Sequence, residues 1–195
     1  VTGLADRSLL ASDVGGPVAT YRMLDTVQTV ARRWLTADPA GDAVHRRHAR
    51  AITDAALAVD LLLRSPDEPT GRRRLDEIVA EVRQAHRWAR MHDPGLADRL
   101  GAALHLASYG RLWSEPGAWG AEVLAAADAA TDALAGSRLL VAGAAANAAR
   151  LDVARAEGER VLASTDDPRL CGIAHEILSD VAIYTGRLDD CAVHV

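Results

Sequence analysis

The sequence contains no lysine, no phenylalanine and a single asparagine, Asn147. All 22 basic residues are therefore arginine. The three depleted residues have AT-rich codons, so a GC-rich coding sequence accounts for the bias and surface arginines need no special chemistry to explain them. Without lysine there is no phosphate-binding loop of the GxxxxGKS/T type, whose lysine neutralises the nucleotide's phosphates. Cysteine is nearly missing: Cys171 and Cys191 form no CxxC, and two thiols do not make a disulfide framework. No apolar stretch reaches the ~18 residues a membrane span requires. No basic segment leads into an apolar one as in a signal peptide. These traits are those expected of a chain in a reducing cytoplasm.

What is present is a chain of 195 residues, 49% hydrophobic, with a net charge of -5. That length and composition suit one or two globular domains with a true core. The negative balance argues against a surface that coats nucleic acid. The first residue is Val1, as expected of either a GTG start or a chain cut from something longer.

The pattern opens with two short apolar runs, Ser8–Ala11 and Ala19–Leu24, around turn residues from Asp13 to Pro17, which predicts a β-hairpin. Val27, Val30, Ala31, Trp34 and Leu35 then recur at helical spacing, predicting a helix with one buried stripe. After Asp38-Pro39-Ala40-Gly41 the chain reads as helix and loop in alternation. Helices are predicted over Ala43–Leu63, Arg72–Met91, from Asp93-Pro94 to Ala107, over Ala118–Leu134, Arg138–Ala149 and Asp152–Ala163, and from Pro168 to about Tyr184. Ser114–Gly117 reads as a turn and Gly186 as a left-handed cap, with Leu188 beginning a last helix.

Two internal echoes suggest a repeat. Leu151-Asp152-Val153-Ala154 recurs 37 residues later as Leu188-Asp189-Asp190-Cys191, and Arg138-Leu139 recurs 31 later as Arg169-Leu170. Tetratricopeptide-type repeats have a period of about 34 residues, with small residues where paired helices touch. The alternative is chance likeness among alanine-rich helices. The expected fold is thus all-α: a TPR-like array of helical hairpins behind a small β-hairpin and helix. The expected divisions are residues 1–40, 41–136 and 137–195.

Several segments resemble one family. Leu4-Ala5-Asp6-Arg7-Ser8-Leu9-Leu10 and Tyr21-Arg22-Met23-Leu24-Asp25-Thr26-Val27 are similar to the winged-helix segment of bacterial signal-transduction ATPases with an NB-ARC-like core, often joined to LuxR-type or antibiotic-regulator-type DNA-binding domains. Arg47-His48-Ala49 and Asp93-Pro94 before Leu96-Ala97-Asp98-Arg99-Leu100 resemble helix starts that follow the wing in that family, and Arg83-Gln84-Ala85-His86-Arg87-Trp88-Ala89 resembles one of its helices. The likeness covers about residues 3 to 110. It implies that the hairpin is a wing, the remnant of a winged-helix domain whose first helices lie upstream. It implies a regulatory or sensor arm of a transcription regulator, binding a protein partner or small-molecule inducer and coupling it to the ATPase core. ATP or ADP would belong to the parent, and DNA would be met through domains absent here. The departures are instructive. The family's Met-His-Asp triplet, whose histidine faces the nucleotide, is here Met23-Leu24-Asp25. Together with the missing phosphate loop this implies a chain that is not itself an enzyme and holds no cofactor. The alternative is a free-standing TPR-like protein-binding scaffold.

Candidate sites are few. Trp88, Trp113 and Trp119 are the side chains best suited to a partner-binding groove, although tryptophan also serves as the large core filler where phenylalanine is absent. Arg72, Arg73 and Arg74 form the densest basic run, which suits an acidic partner or phosphate; Asp76 and Glu77 dilute it, as on a solvated helix face. His45 and His48 lack further ligands for a metal. His175-Glu176 opens like HExxH, but Ser179 stands where the second histidine belongs. Asp166-Asp167 and Asp189-Asp190 stand at predicted helix starts, where carboxylates cap free N–H groups.

Overall fold

The computed structural model describes residues 2–13, 20–127 and 134–194. The chain forms two compact units, Val1–His45 and Arg46–Val195.

In the first unit a short helix α1 (Thr2–Ala5) precedes strands β1 (Leu10–Asp13) and β2 (Thr20–Met23). The strands pair antiparallel, Leu10 opposite Met23 and Asp13 opposite Thr20. The turn expected between Asp13 and Pro17 lies largely outside the described residues. Helix α2 (Asp25–Ala37) follows. The sequence predicts a buried stripe on it, but α2 buries no residue at all. Trp34 is 74% exposed, and Tyr21, Leu24 and Val30 are also open. A two-stranded ribbon has too little mass to cover a helix face.

Helix α3 (Gly41–Leu63) begins in the first unit and continues into the second. There follow α4 (Glu68–His92), α5 (Pro94–Gly110), α6 (Glu115–Ala126), α7 (Ala135–Asn147), α8 (Leu151–Ser164), α9 (Pro168–Tyr184) and α10 (Leu188–His194). The fold is all-α with one small β-hairpin. No helix among the described residues is long and apolar enough to cross a membrane.

Proline places the helix starts. Pro69, Pro94, Pro116 and Pro168 each occupy the first turn of a helix, where the missing N–H costs nothing and the fixed φ suits the helix. This corrects two sequence readings. Ser114–Gly117 is not a turn: Ser114 is the N-cap and Glu115–Gly117 the first turn of α6. Likewise α4 begins at Glu68, four residues before Arg72. Asp93 caps α5 through Leu96 N, and Asp167 caps α9 through Arg169 N and Leu170 N.

Consecutive helices α5/α6, α7/α8 and α9/α10 pack as hairpins, and alternate helices α5/α7 and α7/α9 stack. That is the contact pattern of a helical-repeat array, in which each hairpin buries its apolar face against its neighbour. The repeat has a clear register at the helix C-termini. Leu112, Ala149 and Gly186 are left-handed, with φ of 54°, 55° and 71°, and they stand 37 residues apart. After each, the next N–H bonds five residues back: Trp113 N to Ser108 O, Arg150 N to Ala145 O, Arg187 N to Ala182 O. The same Schellman cap therefore closes α5, α7 and α9. The 37-residue echo is the structural period. The 31-residue echo is not, because Arg138 is the fourth residue of α7 and Arg169 the second of α9.

Glycine allows the stacking. A Cβ on Gly136 would lie 2.2 Å from Asp98 O, and one on Gly120 2.5 Å from Ser137 O, so α5, α6 and α7 meet nearly backbone to backbone. The start of α7 is capped across that contact. The buried Asp98 carboxylate accepts Ser137 N at 2.6 Å and Gly136 N at 3.2 Å. Burial pushes its carboxyl above the ordinary value, against the Ser137 and Gly136 donors that favour the anion. Asp98→Ala should strand both N–H groups and cost about 2 kcal/mol, read as a lower urea midpoint. Asp98→Asn, whose amide oxygen still accepts one of the two bonds, should recover part of it. An unchanged midpoint in Asp98→Ala would show that α7 is anchored by packing alone.

Candidate functional site

The three tryptophans are placed differently. Trp88 on α4 is 8% exposed and stacks on His92, ring centroids 5.0 Å apart. Trp119 on α6 is equally buried and stacks on His86 at 4.6 Å. Trp113, between α5 and α6, is half-buried and meets Trp119 edge to face at 5.7 Å. Its indole N–H donates to Glu115 at 3.1 Å, and the Arg83 guanidinium lies 5.9 Å from its ring centre. Arg83 also forks onto the Glu115 carboxylate at 2.9–3.1 Å, and this pairing holds Glu115 below its ordinary value. The structure thus joins Trp113 to Trp119, leaves Trp88 in another contact, and sets Trp113 at an open pocket.

Arg72, Arg73 and Arg74 are exposed in the second turn of α4, not at its start. Arg72 pairs with Glu68 one turn back and Arg73 bonds Thr70. Asp76 takes Arg111 at 2.8 Å. Neighbouring carboxylates therefore offset much of the basic run.

A set of buried polar groups escapes the sequence reading. His105 on α5 is 1% exposed; its Nδ1 lies 3.2 Å from Leu139 O, while Nε2 has no hydrogen-bond partner. A carbonyl only accepts, so the proton sits on Nδ1. Burial pulls His105 down to about 4. His86 is likewise brought to about 4, by burial first and then by Arg90. The crevice it shares with Trp119, Leu100 and Leu140 has no space for a water molecule. Asp60, 1% exposed, accepts from Arg64 and from Arg169 at 2.8 Å, and Arg169 also donates to Ala102 O. That pair ties α3 to α9. The Tyr109 hydroxyl donates to Asp180, tying α5 to α9; burial and then the bond to Asp180 push Tyr109 well above its ordinary value. One signal for these groups exists in the sequence. It concerns only His105 and Tyr109, on α5: that helix is rich in small and apolar residues, and a helix with a wide apolar surface is buried over most of it, polar residues included.

Open pockets lie at the capped helix ends. The first, about 170 Å³, is bounded by Ser108, Leu112, Trp113 and Ser114 of one repeat and Ala144, Asn147 and Ala148 of the next. A second, about 290 Å³, is lined by Leu151, Asp152, Arg155, Ala156, Glu159, Val181, Thr185 and Arg187. Adding the 37-residue period to Ser114, Ala144 and Ala148 gives Leu151, Val181 and Thr185. The two pockets therefore share three equivalent lining positions, one repeat apart. An adjoining cavity of about 200 Å³ extends the second towards Leu178 and Asp190. Its walls carry both signs: Arg155 bonds Glu159 at 2.6 Å, and Arg187 faces Asp190 at 3.6 Å.

Among the described residues no three His, Cys, Asp or Glu side chains converge as metal ligands. His48 instead meets Glu81 at 2.7 Å. Comparison of the chain with protein-family models, with curated proteins and with solved structures found no match.

Proposed function

We propose that this chain is a non-catalytic, helical-repeat regulatory segment of an ATPase-type transcription regulator, which binds a partner or inducer and couples that event to the ATPase core. The observation that carries the binding role is the pair of open pockets repeated at one-repeat spacing along stacked hairpins. The helices that bear these pockets are joined to one another by the Asp98, Asp60–Arg169 and Tyr109–Asp180 contacts, the last of them in the pocket-bearing halves of α5 and α9, and a rigid scaffold with open clefts is what recognition needs. The regulatory role is supported by the resemblance of residues 3–110. It is supported also by the first unit, where Tyr21, Leu24, Val30 and Trp34 leave apolar surface uncovered, as a surface that packs on another domain does.

The coding locus and the joined protein test this. A reading frame in phase upstream of Val1 should encode a GxxxxGKS/T motif. In the joined protein, deleting residues 46–195 should change ATP turnover. A stop codon directly upstream with no such motif, or turnover indifferent to the deletion, would leave the free-standing scaffold as the correct reading.

A further inference from the structure

The 37-residue register shows which side of each helix carries the next. On α5 that side is Asp98, Ala102, His105 and Tyr109: the backbone of Asp98 and Ala102 closes on Gly136, and the rings of His105 and Tyr109 close on Gly143. Leu140 meets Gly101 between them, so α7 lies parallel to α5 and answers with residues 136, 140 and 143. One period on, α7 presents Ala135, Leu139, Ala142 and Ala146. These pack in one cluster with Ile173 and Ile177 of α9, the counterparts of Gly136 and Leu140. Bulk alternates: a side with large rings is met by glycine, and a side of alanines by isoleucine.

One period further, the same side of α9 is Gly172, Glu176, Ser179 and Ile183. Among the described residues no helix stacks on it as α7 stacks on α5. Gly172 and Glu176 are exposed and Ile183 is 50% exposed. Ser179 is partly covered, its hydroxyl 3.0 Å from Cys191 Sγ of α10. Nothing stands within 4 Å of a methyl placed on Gly172, and Glu176 forms no ion pair among the described residues.

This side continues an interface the chain has already used twice, so a further helix is what fits it. The register then sets the chemistry of that helix. Its residue in the place of Gly136 meets bare Gly172 and must be large and apolar. The one in the place of Leu140 lies beside Glu176 and must be basic, since the carboxylate would otherwise be covered without a counter-charge. The one in the place of Gly143 lies between Ser179 and Ile183 and must be small. We propose that the open side of α9 binds an amphipathic helix of a protein partner, laid parallel to α9, with a large apolar residue at n, Arg or Lys at n+4 and Ala or Gly at n+7. A second copy of this chain does not fit, because pairing two copies along this side brings their Glu176 carboxylates together. The proposal rests on the reading of residues 46–195 as a binding segment and supplies the surface and the partner's chemistry.

The test uses the full 195-residue chain and fluorescein-labelled, alanine-based helical peptides of about 18 residues, followed by anisotropy. A peptide with Leu, Arg and Ala at n, n+4 and n+7 should bind. Replacing its Arg with Glu should weaken binding about tenfold or more, the loss expected when one charge-assisted contact goes. Glu176→Arg should reverse that preference. Gly172→Leu, which puts a side chain into open space, should occupy the place of the peptide's Leu and weaken binding. Amide shifts in the unaltered chain should fall on residues 172–183, an outcome independent of whether the variants fold. Absence of binding at about 1 mM peptide, the weak end of specific recognition, overturns the proposal. So does equal binding of the Glu peptide, of a proline-interrupted peptide that cannot form the helix, or shifts confined to residues 108–114 and 144–148. A dimer of the free chain in sedimentation that Ile183→Arg dissociates overturns it in favour of a second copy. These failures leave the ATPase coupling result untouched, and a failed coupling result leaves peptide binding untouched.

Discussion

Between pH 6.5 and pH 4 the chain should lose on the order of 6 kcal/mol of folding stability through two histidines alone. His86 and His105 each ionise at about 4 in the folded chain, against about 6.5 when unfolded. Their folded values are lowered, so in this window the unfolded chain binds more protons than the folded one. Stability is therefore intact above about 6.5, falls as pH falls, and reaches its floor below about 4. At about 1.4 kcal/mol per pH unit each imidazole contributes on the order of 3 kcal/mol. The common cause is burial, which penalises the cation. For His105, Asp60 pulls the other way, while Arg64 and Arg169 reinforce the effect. For His86, Glu115 opposes and Arg90 reinforces. A loss of that size rivals the whole stability of a typical domain, so the helical unit should unfold in mild acid. Urea unfolding at a series of pH values from about 7.5 down to about 4 measures it. The His86→Phe/His105→Phe double variant keeps two aromatic rings but has no proton to gain, and its midpoint should vary much less across the range. His86→Phe alone should remove about half of the slope. If the double variant keeps the full wild-type slope, the acid sensitivity lies elsewhere.

Gly136→Ala should be the most damaging single methyl in the helical unit. The added carbon would sit 2.2 Å from Asp98 O, 2.8 Å from Ala102 N and 2.9 Å from Ala102 Cβ. Two of those atoms are backbone and cannot swing away. The helices must separate, which breaks the Asp98 cap and loosens the stack at α5 and α7. The cost should be about 3 kcal/mol, the upper range of overpacking, and should lower the melting temperature by roughly 6–12 °C in a chain of this size. Gly172→Ala is the matched control. It lies within α9, nothing stands within 4 Å of the place its methyl would take, and alanine's better helix propensity should stabilise by about 0.5–1 kcal/mol. If the two variants melt alike, close backbone approach is not what holds the stack.

Much of the helical pattern is legible because local chemistry sets it. Asp167 and Pro168 start α9 where the sequence places it, and Gly186 supplies the left-handed cap that ends it. The same local signals mislead where they carry two meanings. Pro116 and Pro69 read as breakers in sequence, but proline is equally at home in the first helical turn. The α2 stripe reads as buried because periodicity reports which face is apolar, not whether anything covers it. The tryptophans draw attention as large and rare, whereas Trp88 and Trp119 are core residues and Trp113 borders an open pocket. Asp98, His86 and His105 draw little, since nothing in the local pattern tells a polar residue that will be buried from one that will face solvent.

What the sequence determined by itself is therefore the succession of helices from α2 onward, the starts at Pro94 and Pro168, the cap at Gly186 and the 37-residue beat between Leu151 and Leu188, all consequences of interactions within a few residues of chain. The tertiary structure alone decided that Leu112 and Ala149 would adopt the conformation that Gly186 adopts, that a carboxylate on α5 would cap α7, and that equivalent helix ends would leave equivalent pockets. Those outcomes depend on how closely α5, α7 and α9 approach, and that distance is set by side chains far apart in sequence which meet only when the hairpins stack.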